Sequence, residues 1–374
     1  MVLPYNADRG PVACARSRNA PGPGADVGSC TLPHMLRTTA FLALLALGAC
    51  SPGPSPEQFN GHTMGTTYSV TVASHPQAVR HEAIQSVIDG VLDEVNRSLS
   101  TYDARSEISR FNANATTDPV VVSPSLRAVA AIAGEVSAAT GGAFDITVGP
   151  LVQAWGFGVD SPVLERMPSQ DAINRLEADV GFARLELVPD GRSLRKAVPG
   201  LQLDVNGIAP GYAVDLIAER FDALGVHDYL VELGGEVRAR GSSPAGRTWR
   251  VAVEAPLSGE RKPYALVELD GLAVSTSGDY RDFRELNGRR FSHTIDPRTG
   301  APIANGLASV SVVHRSTAFA DAYATALMVL GPEAGMVLAG RLGLAALFIE
   351  RHTNGPRFTE RATPAFDRLR RPLR

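Results

Sequence analysis

The period of apolar and polar positions changes repeatedly along this chain. Thr66–Ala73 alternates with period two, as a half-buried strand does. Gln77–Leu99 reads as a long amphipathic helix. A second helix opens at Ser123-Pro124, an N-cap followed by Pro at the first helical position, and closes at Thr140-Gly141-Gly142. Ser169–Val180 reads as another, closed by Gly181. Arg184–Val188 and Ser193–Val198 flank Pro189-Asp190-Gly191-Arg192, which signals a hairpin. A strand is predicted at Leu201–Val205 and a helix at Ala209–Leu224. Strands follow near 228–233, 236–240, 248–254, 264–269, 271–275 and 307–313. Helices at 317–330 and 333–341 precede a last strand at 343–350. Antiparallel hairpins mixed with helices predict an α+β fold of two closely associated subdomains, with helices packed on sheet faces. The arginine-rich end after Pro364 is expected to be a solvated tail.

The N-terminus has a different pattern. Met35–Ala49 carries Arg37, then an apolar run, then Gly48 and Ala49 before Cys50. The run is too short to span a bilayer and reads as a secretory signal peptide. Leu47-Gly48-Ala49-Cys50 resembles a bacterial lipobox, which would leave Cys50 as the lipid-bearing first residue. Ser-Pro-Gly-Pro-Ser-Pro follows it as a tether. An export signal must lie near the start, so translation is expected to begin at Met35, with residues 1–34 a spurious or disordered extension. The expected order is therefore signal peptide 35–49, tether 50–58, one large domain 59–360 and a basic tail 361–374. No further apolar run reaches membrane-spanning length on this reading.

Composition narrows the chemistry. Cys14, Cys30 and Cys50 are the only cysteines among 374 residues. A disulfide framework, a cysteine nucleophile and a thiolate metal site are thereby excluded from the body. The formal charge is −3. Removing residues 1–49 takes 36 basic and 39 acidic residues to 32 and 37, a net −5. Such a chain has no basic field for nucleic acid, and would need a lipid to hold an anionic membrane.

Four Gly-rich segments interrupt the regular pattern: Gly141–Pro150 leading to Trp155-Gly156-Phe157-Gly158, Leu203–Tyr212, Ser275–Tyr280 and His293–Gly300. Any one alone is a tight turn. Four together point to a phosphate-bearing ligand, because glycines let backbone N–H groups approach phosphate closely. No P-loop or dinucleotide fingerprint is present. Asp321 and Thr325 share a helix face at i,i+4. Their hard oxygens suit magnesium, which keeps waters and substrate phosphates in its shell. By itself the pair is better explained by an Asp near a helix N-terminus and a Thr bonded within the helix. His293, beside Asp296-Pro297-Arg298-Thr299-Gly300, is the best-placed histidine for accepting a proton.

Together these segments resemble the ApbE family of FAD:protein FMN transferases. The resemblance runs from about Met64 to about Phe348. It is carried by Met64–Tyr68, Leu99–Tyr102, Ser106–Ser109 with Asn112, Gly142–Asp145, Val148–Leu151, Trp155–Gly158, Asp204–Asp215, Leu233–Gly235, Thr276–Tyr280, His293–Gly300, and Ala320-Asp321 with Thr325. It implies a magnesium-dependent enzyme that moves FMN from FAD to a Thr or Ser hydroxyl of an acceptor protein and releases AMP. By position, Met64, Tyr102, Ala143, Phe144, Asp145, Asp204, Pro210, Thr276, Ser277 and His293 are its FAD contacts. Gly207 through its carbonyl, Asp321 and Thr325 are its magnesium ligands, and His293 is its base. Pro210 departs from the pattern, since the family carries Lys or Glu there. The resemblance further implies a membrane redox-complex subunit as acceptor. With the signal segment and lipobox, the expected location is the periplasmic face of a bacterial membrane, the inner favoured over the outer. A FAD pyrophosphatase yielding FMN and AMP, or a non-catalytic flavin-binding lipoprotein, are the alternatives.

Overall fold

The computed structural model describes Val2–Pro4 and residues 55–373, apart from 159–160, 162–165, 258, 260, 281–282, 287–288 and 353–356. The predicted signal segment, Cys50 and most of the predicted tether lie outside the described residues.

An eight-stranded antiparallel sheet organises the chain. Its spatial order is Phe358–Ala362, Ala345–Arg351, Leu307–His314, Leu272–Gly278, Glu236–Arg240, Asp228–Leu233, Thr66–Ser74 and Glu57–Thr63. Because side chains alternate across a strand, the two faces hold separate cores. On one face lie the helices His81–Leu99, Pro124–Thr140, Ala209–Ala223 and Thr317–Leu342, burying Val70, Val231, Leu233 and Val310. On the other, Val237, Val274, Leu347 and Ile349 pack against Trp249, Val251, Val267 and Phe366. These belong to a smaller sheet, in the order Val2–Pro4, Trp249–Glu254, Pro263–Leu269 and Arg370–Arg371, and to the Pro364–Leu369 helix. The α+β expectation holds, and the described residues from 55 onward pack with Val2–Pro4 in one compact unit.

Most predicted elements are present. Ser123 caps its helix by accepting from Leu126 N–H, and Gly141 closes it in the left-handed region. The 317–342 stretch is two helical pieces broken at Gly331, whose φ of 79° precedes Pro332. It is also long and apolar enough for a membrane span, with mean hydropathy 1.4, contrary to the sequence expectation. It is nevertheless a core helix of this fold, its inward residues buried.

Four expectations are corrected. The long helix starts at His81, not Gln77. Leu201–Val205 is not a strand, having only an isolated bridge between Gln202 and Val148. The Asn112 side-chain amide takes the backbone of Leu203, accepting from its N–H at 2.7 Å and donating to its carbonyl at 2.8 Å. Asp204 N–H donates to Ile146 O at 2.6 Å. No strand ladder is left to form. The end of the chain is not a solvated tail. Thr363 caps the Pro364–Leu369 helix, Phe366 is fully buried, and Arg370–Arg371 pairs with Pro263–Leu269. Its arginines are used locally, Arg370 on Glu360 and Arg371 on Glu268. Within residues 1–34, Val2–Pro4 pairs antiparallel with Trp249–Glu254 and so is not a free extension.

Candidate active site

The helix-bearing face of the sheet carries the proposed cation ligands. Asp321 and Thr325 lie on Thr317–Leu342, Asp321 buried and Thr325 half-buried. Thr325 Oγ1 is 3.0 Å from Ser277 Oγ on the neighbouring strand. Gly207 sits against the same hydroxyl. A Cβ there would come 3.0 Å from Thr325 Oγ1 and 3.5 Å from the Phe144 ring. Gly207, Thr325 and Phe144 thus enclose a cradle that a larger residue would fill. Asp321 accepts a long 3.4 Å bond from Gly211 N–H. Burial, reinforced by the nearby Glu236 carboxylate, pushes the Asp321 carboxyl well above the usual range, opposed by Gly211 N–H and Ser275. A buried carboxylate so short of donors is well matched to a cation. The donor set of carboxylate, hydroxyl and carbonyl fits a small hard one.

Strand alternation splits one predicted pair. Ser275 and Ser277 face the helices, whereas Thr276 pairs with Ser311 across the strands and bonds to its hydroxyl at 2.7 Å on the opposite face. Thr276 therefore presents no side chain to the Asp321 site. Ser275–Gly278 is the end of a strand and not a loop.

A groove runs beside this cluster. Its walls include Thr101, Tyr102, Asn112, Gln153, Phe157, Leu203, Asp204 and Asn206. Tyr102 is 63% exposed at the groove. Thr101 Oγ1 is buried without a hydrogen-bond partner among the described residues, an orphan that a ligand would satisfy. Asp204 Oδ1 accepts from Asn206 N–H at 2.9 Å. Burial raises its carboxyl, opposed by Asn206 and by His293 nearby. His293 lies edge-on to Phe157, with ring centres 6.5 Å apart. Trp155 Nε1 donates to Gly300 O at 2.7 Å, tying the turn after His293 to the Gly149–Ala154 helix.

The remaining predicted residues divide into two kinds. Ala143 and Phe144 are buried in the loop after Gly141-Gly142, and Phe144 reaches Gly207. Asp145 is occupied within its own loop, accepting from Thr147 N–H (2.8 Å), Thr147 Oγ1 (2.7 Å) and Phe182 N–H (2.7 Å). Burial still raises its carboxyl. Pro210 stands in the first turn of Ala209–Ala223, where its missing N–H leaves no intrahelical bond unmade. Met64 turns the hairpin between Glu57–Thr63 and Thr66–Ser74 with φ of 49°, the one positive value outside glycine among the described residues. Such strain, about 1–2 kcal/mol, concentrates at functional sites. Sequence reasoning missed Glu236 and Ser275, whose hydroxyl donates to Glu236 Oε1 at 3.3 Å.

The fold is α+β, and its helix-bearing face brings Asp321, Thr325, Ser277 and Gly207 together. The family model described as the ApbE family matches residues 64–348. An FAD:protein FMN transferase of Vibrio cholerae serotype O1 is 38% identical over 327 residues, 87% of this chain and 96% of the relative. The one from Escherichia coli strain K12 is 36% identical over 340 residues, 88% and 96% of the two chains. The apo crystal structure of Pseudomonas stutzeri flavinyl transferase ApbE is similar at 44% identity with a TM-score of 0.76, covering 84% of this chain and 96% of that one. The flavin transferase ApbE from Vibrio cholerae superposes with the same TM-score at 37% identity, over 84% and 99%. This chain belongs to the ApbE family.

Proposed function

We propose that this chain is an FAD:protein FMN transferase that uses magnesium and attaches FMN through a phosphoester to a Thr or Ser of an acceptor protein. The observation that carries the reading is the meeting of Asp321, Thr325 and Ser277 with Gly207, which follows Asp204 and Asn206 on the wall of the Tyr102 groove, with His293 near Asp204 and edge-on to Phe157.

The bonds balance simply. The acceptor hydroxyl oxygen attacks the FMN phosphorus of FAD. The P–O bond to the AMP phosphate breaks, and AMP leaves. When bound, magnesium would neutralise the pyrophosphate and stabilise the leaving phosphate. Asp321, Thr325 and the Gly207 carbonyl would hold it. His293, at the groove beside Asp204, takes the hydroxyl proton, a role worth about 10²–10⁴-fold. Tyr102 and Phe157 offer aromatic faces for the isoalloxazine or adenine ring. Phe144 would close the Gly207 cradle against the phosphates. Alignment of the hydroxyl with the phosphorus supplies much of the rest.

Export and lipid attachment at Cys50 belong to the same proposal, supported by the signal-like segment before it. The acceptor would then be met on the periplasmic face, for example a subunit of a membrane redox complex. Incubation with FAD, magnesium and a Thr-bearing acceptor peptide should yield AMP and flavinylated peptide together. AMP and free FMN, formed equally with and without peptide, would make it a pyrophosphatase instead. FAD bound with no AMP released would make it a flavin carrier.

A further inference from the structure

The proposed cation ligands come from two helices that are far apart in sequence. Gly207 precedes Ala209–Ala223, and Asp321 and Thr325 sit on Thr317–Leu342. Their meeting depends on how the two helices are fixed along each other. One buried side chain spans the junction. The Asp215 carboxylate accepts five hydrogen bonds. Its Oδ1 receives Thr317 N–H and Thr317 Oγ1, both at 2.8 Å, and Arg238 Nη1 at 2.6 Å. Its Oδ2 receives Ser316 Oγ at 2.6 Å and Ala318 N–H at 3.0 Å. Four of the five come from the first turn of Thr317–Leu342, where N–H groups lack intrahelical partners and a negative charge is favoured.

The neighbouring backbone leaves no slack. A Cβ on Gly211 would come 2.7 Å from Thr317 O, so the helices touch backbone to backbone. Gly211 N–H also reaches Asp321 Oδ2. The Gly211–Asp215 turn therefore holds both the start of the second helix and a ligand one turn along it. At 1.5 Å per residue, Asp321 and Thr325 lie roughly 6 and 12 Å beyond Thr317 along the axis.

We propose that Asp215 is a positioning residue of the cation site. It touches neither cation nor flavin. It fixes the axial register of Thr317–Leu342 against Ala209–Ala223, so that the Asp321 carboxylate and Thr325 hydroxyl meet the Gly207 carbonyl. Arg238, from the sheet, anchors the same carboxylate and sets its orientation. This inference rests on the cation reading of the site, though not on flavin transfer.

The test is magnesium binding by the full-length chain, read by titration calorimetry with FAD present, beside flavin fluorescence for FAD affinity without metal. Asp215→Asn keeps the shape and removes the charge. Ligands thrown out of register should bind magnesium more weakly by about 10–100-fold, the scale on which outer-shell changes act at metal sites. FAD affinity without metal should be unchanged. A lowered melting temperature with wild-type magnesium affinity would reduce Asp215 to a stability tie and overturn the proposal. Should Asp215→Asn not fold, Thr317→Val removes one donor hydroxyl and keeps the backbone bond. It should weaken magnesium in the same direction, and wild-type affinity there would overturn the proposal too. A wild-type chain that takes up no magnesium would refute the cation site and this inference with it. Magnesium binding weakened by Asp215→Asn in a chain that transfers no FMN would uphold the inference while refuting the function.

Discussion

At the scale of single residues, the site turns on Asp321. Its carboxylate is buried, close to Glu236, and poorly supplied with donors. Asp321→Asn keeps its volume and removes its charge. Magnesium-dependent turnover should fall by at least about 10²-fold if this charge holds the cation; unchanged rates would remove the metal site from Asp321. His293→Ala should slow transfer by about 10²–10⁴-fold while sparing FAD binding. Equal rates at saturating FAD would refute the base assignment. Away from the site, Lys196 is buried with its ammonium on Asn112 O and Asn114 O, and burial pushes it down to about 8. An unfolded lysine keeps its proton to about pH 10.4. Between those values the unfolded chain binds more protons, so this residue makes stability rise with pH. Lys196→Met should remove that rise. Urea unfolding of both chains from about pH 8 to about pH 10 checks it, and parallel profiles would contradict it. The Asp321/Thr325 pair was legible because i,i+4 is a local rule. Glu236 lay outside every motif, and the roles of Ser275 and Asp215 within theirs were not legible, since each acts on a helix some fifty to a hundred positions away through a contact only the fold creates.

At the scale of elements, alternation and capping located most strands and helices. They failed where a side chain displaced the backbone ladder. Leu201–Val205 looks like a strand by its apolar period, yet Asn112 satisfies Leu203 from both sides. That clamp holds the start of the loop carrying Asp204 and Gly207. Asn112→Ala would leave a buried N–H and carbonyl unmade, each costing about 1–3 kcal/mol. Stability should drop by about that much, and FAD affinity should fall as the Asp204 loop loosens; FAD affinity equal to wild type would separate the clamp from the groove. Strand period also decides function here. Adjacent residues Thr276 and Ser277 share one Gly-rich motif, but only Ser277 can reach Thr325. A motif read as a block hides that difference, whereas the pleat exposes it.

At the scale of the whole molecule, the central sheet separates a helix layer bearing the site from a small sheet that closes the other face. The C-terminal segment belongs to that second layer. Its arginine-rich composition suggested a solvated end, because pairing with Glu268 and Glu360 is invisible in sequence. Phe366 sits at the centre of the second core. Phe366→Ala should cost about 3–5 kcal/mol in urea unfolding, and a loss under about 1 kcal/mol would show the tail to be dispensable. The cysteine-free body suits chemistry that needs only oxygen ligands, an imidazole and backbone. Whether that chemistry is FMN transfer is tested most directly by mass spectrometry of a Thr-bearing acceptor peptide after incubation with the full-length chain, FAD and magnesium. The account predicts a peptide heavier by one FMN less one water, with AMP released in equal amount and neither product formed when magnesium is chelated. An unmodified peptide beside bound, intact FAD would contradict it.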